Sequence, residues 1–132
     1  MSTDVEVWTC EPIDVEALLP ERGRWHRSEH GDERLGRFSC WQFVDEEWLV
    51  SVCSPEAIDP DDPEFDVPER VKELLPCVRY RIGVQLEPIN PPRPGWDFLN
   101  KVIATLATKG PGLGFDVFTG QPIRLPAAEP GS

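Results

Sequence analysis

Val78-Arg79-Tyr80-Arg81-Ile82-Gly83-Val84-Gln85-Leu86-Glu87 alternates apolar and polar side chains from end to end, counting Gly83 with the polar set. A period of two places Val78, Tyr80, Ile82, Val84 and Leu86 on one face and the remainder on the other, which predicts a strand with one buried face. Pro88, Pro91, Pro92, Pro94 and Gly95 then mark a turn. From about Trp96 to Lys109 the spacing changes, and Trp96, Leu99, Ile103 and Leu106 recur at three- and four-residue steps. Asp97 in the first turn and Lys109 in the last suit a helix dipole. Gly110-Pro111 stops the helix, and Leu113, Phe115 and Val117 resume alternation. The stretch is a β-α-β unit, with a right-handed crossover expected if its strands are parallel.

Upstream, Val5 to Trp8 predicts an edge strand, and Asp14 to Leu19 one helical turn capped by Asp14 and stopped by Pro20. Trp25–Glu29 and Arg34–Val44 predict two strands joined through Gly31. Arg37–Val44 and Leu49–Cys53 form a hairpin around the four-residue loop 45–48. That loop pairs Val44 with Leu49, Phe43 with Val50, Trp41 with Val52 and Cys40 with Cys53. Trp41, Phe43, Val50 and Val52 then share one face, and a one-residue slip would mix the faces. Residues 54–66 hold three prolines and six acids, which predicts a loop. Asp66, with Pro68 and Glu69 behind it, predicts the start of a short helix bearing Val71, Leu74 and Leu75 and ended by Pro76. The expected fold is α+β: a two-layer sandwich, a mainly antiparallel sheet with two helices packed on one face. Residues 1–125 form a single domain and 126–132 a flexible tail.

At 132 residues the chain has room for one core. No apolar run approaches a membrane span, and the acidic N-terminus does not match a secretion signal. These observations predict a cytoplasmic protein, in which Cys10, Cys40, Cys53 and Cys77 are reduced and behave as small buried hydrophobes. The net charge of −11 is uneven, with ten acids and no base over residues 45–69. Such a surface repels nucleic acid and attracts a basic protein. The plainer reading is a solvated loop that aids solubility.

Motif matches to catalysis or metal binding lack their structural context. His26-Arg27-Ser28-Glu29-His30 has the H-x-x-E-H spacing of inverted zinc peptidases, but that chemistry needs a helix and this segment predicts a strand. Asp59, Asp61, Asp62, Glu64 and Asp66 lack the glycine of a calcium-binding EF-hand loop. Gly110–Gly114 runs from helix to strand, the reverse of a phosphate loop. Cys40 or Cys53 with His26 across neighbouring strands is a conceivable nucleophilic pair, and Asp97, Asp116 and Glu87 are conceivable acids or bases. No cofactor or metal is expected.

Asp116-Val117-Phe118-Thr119-Gly120, following the helix and its glycine stop, resembles small uncharacterised bacterial α+β proteins over about residues 78–125. Some of these are immunity proteins encoded beside polymorphic toxins. The resemblance implies toxin neutralisation and transfers no functional residues. The expected function is therefore non-catalytic binding of a basic protein through Asp45, Glu46, Glu47, Asp59, Asp61, Asp62 and Glu64. The alternative is a small-molecule-binding domain or small enzyme with a pocket between sheet and helices, near Trp41, Tyr80 and Trp96.

Overall fold

The structure is a computed structural model that describes residues 3–21, 23–33, 36–88 and 90–123. Its strands are β1 (Thr3–Thr9), β2 (Trp25–Asp32), β3 (Gly36–Val44), β4 (Leu49–Cys53), β5 (Glu56–Ala57), β6 (Tyr80–Glu87), β7 (Gly112–Asp116) and β8 (Gln121–Pro122). Its helices are α1 (Val15–Leu18), α2 (Glu69–Leu74) and α3 (Arg93–Lys109), with a 3-10 turn at Pro63–Phe65. The strands make one open sheet in the order β2-β3-β4-β6-β1-β7-β8, and β5 also pairs with β6. Every pairing is antiparallel. The expected α+β class and mainly antiparallel sheet are present.

β6 and β7 both run antiparallel to β1, so they are parallel to each other with β1 between them. The β-α-β unit is thus split by a strand from the N-terminus. β1 is an interior strand, not the expected edge. Val5 and Val7 are buried on one face and Trp8 on the other, a pattern an edge strand with a solvated face does not need. Alternation assigns the rest. Val5, Val7, Phe43, Val50, Val52, Ile82, Val84 and Leu86 share a core with Leu99, Val102, Ile103 and Leu106 of α3 and Val15 of α1. Trp8 and Phe115 point to the opposite face and pack with Ile58, Val67, Val78 and Val71 of α2. The expectation of both helices on one face is corrected accordingly: α3 covers one face, and α2 covers part of the other.

The hairpin register agrees residue for residue with the sequence reading, from Val44↔Leu49 to Cys40↔Cys53. α1 is capped as expected, with Asp14 accepting from the Ala17 amide at 3.3 Å. Other boundaries move for identifiable reasons. Gly31 lies within β2, and Gly36, at φ +73°, takes the left-handed position of the β2–β3 turn; the expected strand residues Arg34 and Leu35 lie outside the described residues. α3 starts at Arg93, because Pro94 sits in the first turn, where no intrahelical N–H is required. Trp96 is 38% exposed, and Gly95 takes the inward position against Trp48. Asp66 ends the 3-10 turn in the left-handed region, and α2 begins after Pro68 without a side-chain cap. Cys10 and Cys77 form a disulfide, so the expectation of four reduced cysteines is corrected for these two. Residues 124–132, with the expected tail, lie outside the described residues. No described helix is long and apolar enough to cross a membrane.

Candidate functional site

The half of the sheet not covered by α3 carries a cleft at the junction of β3, β4, β5, β6 and β1. Its formation begins with a register shift. Val52 lies opposite Val84, and Glu56 lies opposite Arg81. Four steps on one strand thus match three on the other, which makes a β-bulge at residues 53–55. Without the extra residue Glu56 would share the face of Val52 and enter the apolar core. With it, Glu56 emerges beside Arg81 on the opposite face. Ser54 anchors the bend: its amide donates to the Ser39 carbonyl at 2.8 Å, and its hydroxyl accepts from the Ser39 amide at 3.1 Å.

β1 supplies the next row, with Glu6 opposite Gly83 and Trp8 opposite Arg81. Arg81 therefore lies between two carboxylates, its Nη2 2.5 Å from Glu56 and its Nη1 3.5 Å from Glu6, with the guanidinium 5.8 Å from the Trp8 ring centre. Burial holds the Glu6 carboxyl above its ordinary range; Arg81 opposes this, and Glu56, Asp4 and Asp66 reinforce it. Glu56 Oε1 and Trp8 Nε1 are buried and make no hydrogen bond. Each such group costs about 1–3 kcal/mol. A Cβ on Gly83 would meet nothing within 4 Å, so Gly83 leaves the floor of the cleft open. The cavity is about 710 Å³, walled by Phe38 and Phe65 and bordered by Arg37 and Cys53. This volume falls in the range of small-molecule sites, about 300–1,000 Å³.

Cys53 stands opposite Cys40, with the sulfurs 3.1 Å apart. Burial, then contact with Cys40, pushes the Cys53 thiol up to about 12. On the α3 side of the sheet, Glu29 accepts from Ser39 and Arg27, each at 2.8 Å, and these bonds hold its carboxyl below the ordinary range.

The seven acids expected to form one surface fall into two groups. Asp45, Glu46 and Glu47 are exposed at the hairpin tip, beside the end of β4 that pairs with Glu87. They share a shallow hollow with Arg24. Asp59, Asp61, Asp62 and Glu64 follow β5, which pairs with the Tyr80 end of β6. Seven residue steps along β6 separate the two ends, about 23 Å at ~3.3 Å per step. Only the second group adjoins the cleft, through the loop that supplies Glu56 and Phe65 to its wall. That loop is ordered by its own acids: the Asp61 amide donates to Asp59 and the Glu64 amide to Asp62, both at 2.9 Å.

The other sequence candidates disperse. His26 and His30 are exposed on β2, where His30 stacks on Phe38 and meets the Ser28 hydroxyl at 2.8 Å. His26 lies opposite Gln42, two positions along β3 from Cys40. Asp116 accepts from the Phe118 and Thr119 amides and so builds the turn before Gly120. Asp97 and Glu87 are exposed. Among the described residues, no group of three or more His, Cys, Asp or Glu side chains is placed to hold a metal ion. Trp41 borders a separate recess of about 440 Å³ beside α1, which neither Tyr80 nor Trp96 lines.

Sequence reading missed Glu6, Glu56, Arg81 and Gly83 as a group. Two local signals were present: a glycine inside a strand pattern marks a close approach or open floor, and a proline beside a strand marks a bulge. Compared with known family models, curated proteins and solved structures, the chain matches none.

Proposed function

We propose that this chain is a non-catalytic binding protein that receives a basic protein partner, with the contact centred on Asp59, Asp61, Asp62 and Glu64 and on the adjoining cleft. The observation that carries this reading is the place of that ordered acidic loop: Asp59, Asp61, Asp62 and Glu64 lie at the rim of the cleft, away from its arginines Arg37 and Arg81. The loop leads into a cavity holding Glu6 and Glu56, with Arg81 shared between them. A lysine or arginine of the partner is met by the carboxylates of the loop at the rim, while Arg81 already occupies Glu6 and Glu56 inside the cleft. Asp45, Glu46 and Glu47 add to the long-range field that steers encounter, but they sit at the far end with a cation of their own chain nearby. The immunity-type role implied by the sequence resemblance is one form of this reading, with a toxin as the basic partner. Cytoplasmic residence, expected from the sequence, is at odds with the Cys10–Cys77 disulfide, which persists in oxidising surroundings.

The test is affinity purification from the native host, followed by direct titration of the purified partner. Reversing Asp59, Asp61, Asp62 and Glu64 to lysine abolishes binding on this reading. Retained affinity refutes the surface.

A second reading, a small-molecule site or small enzyme, is favoured by one observation: a carboxyl with a raised pKa, Glu6, faces a cavity of suitable size. Thermal stabilisation by a metabolite library, lost in Gly83→Leu, supports this reading; no stabilisation by any compound counts against it.

A further inference from the structure

Cys40 and Cys53 are placed as a reacting pair. The Ser54 amide bonds to the Ser39 carbonyl, and the Asp45 amide to the Trp48 carbonyl. Hydrogen-bonded and non-hydrogen-bonded pairs alternate along an antiparallel ladder. Between those fixed ends, Cys40 and Cys53 fall on a non-hydrogen-bonded pair. There the side chains of facing residues approach most closely, with Cα atoms about 4.5 Å apart, inside the range a disulfide spans. The sulfurs are already 3.1 Å apart, both residues are half-buried, and Cys53 opens on the cleft. Neither α2 nor α3 covers this part of the sheet.

We infer that Cys40 and Cys53 form a reversible dithiol–disulfide site that exchanges with small disulfides of the glutathione class. One protein sulfur, as thiolate, attacks the small disulfide RS–SR, forming a mixed disulfide and releasing RS⁻, which takes up a proton. The second protein sulfur gives up its proton, attacks the protein sulfur of the mixed disulfide, and displaces the second RS⁻ as RSH. Two protein thiols are oxidised, one RS–SR is reduced to two RSH, and no other electron carrier is needed. Because Cys53 opens the bulge that leads to Glu56, closing the bridge ties the cleft wall to β3.

The site is tested on the full chain equilibrated in buffers of oxidised and reduced glutathione, acid-quenched, alkylated and digested with trypsin. Residues 38–70 form one tryptic peptide holding both cysteines, so the readout does not depend on the Cys10–Cys77 bridge. The expected result is an unalkylated peptide, two hydrogens lighter than its dithiol, in the oxidising buffer and a doubly alkylated one in the reducing buffer. Cys53→Ser stops at the mixed disulfide and holds it at least about tenfold longer than the parent protein, and Cys40→Ser, left with the thiol that burial pushes up, reaches the same state more slowly. Three results overturn the inference: peptide 38–70 keeps both thiols under conditions that oxidise dithiothreitol, the parent accumulates the mixed disulfide as the single variants do, or Cys40 or Cys53 is recovered joined to Cys10 or Cys77.

Discussion

Gly83 and Gly112 show how two glycines in one sheet do opposite work. A Cβ on Gly112 would run into the carbonyl oxygen of Trp8, a backbone atom that cannot swing aside, whereas one on Gly83 enters open space. Gly112→Ala is therefore expected to lower stability by about 1–3 kcal/mol, read as a fall in the urea midpoint. Gly83→Ala is expected to leave the midpoint unchanged or slightly raised, since glycine weakens a strand interior. At Glu6 the consequence is pH dependence. A folded carboxyl raised above its ordinary value binds its proton more tightly in the folded state, so its contribution is most favourable below the ordinary value of 4.5 and falls as pH rises toward the raised value. Urea midpoints measured from pH 4 upward should decline more for the parent than for Glu6→Gln. Parallel curves contradict the assignment.

At the scale of elements, the hairpin was legible because Trp41, Phe43, Val50 and Val52 segregate in only one register. α3 was legible because Leu99, Ile103 and Leu106 fix a face, although proline's tolerance in a first turn hid its start at Arg93. The β4–β5 bulge was not legible. Periodicity counts residues on one strand, while a bulge is defined by the partner strand, so the emergence of Glu56 beside Arg81 has no one-dimensional trace beyond Ser54-Pro55. Ser54→Ala removes the hydroxyl that accepts from the Ser39 amide, in a residue that is 8% exposed. A loss of about 1–3 kcal/mol is expected for the orphaned amide. Deleting Ser54 is expected to be far worse, because it turns the Glu56 carboxylate toward the apolar core. Circular dichroism melts of the two variants distinguish these outcomes, and equal effects would argue against the bulge.

For the whole molecule, composition and alternation were enough for an α+β chain with an antiparallel sheet. They could not give β1 its central place, because strand order depends on which edges meet in space. They also could not place the acids: residues 45–47 and 59–64 are close in sequence, yet β4 carries the chain from one end of the sheet toward the other between them. The Cys10–Cys77 bridge likewise joins sites 67 residues apart that no spacing rule connects. Such bridges persist in oxidising surroundings, so a non-reducing gel of freshly alkylated host cells shows whether the cytoplasmic assignment stands; a fully bridged population contradicts it. The division of charge leads to the measurement that bears most directly on function: titration of the purified partner against the parent protein and two charge-reversed variants. Asp59, Asp61, Asp62 and Glu64 to lysine should weaken binding at least about a hundredfold, while Asp45, Glu46 and Glu47 to lysine should chiefly slow association. Unchanged affinity in the first variant, or a larger loss in the second, would contradict the cleft end as the contact surface.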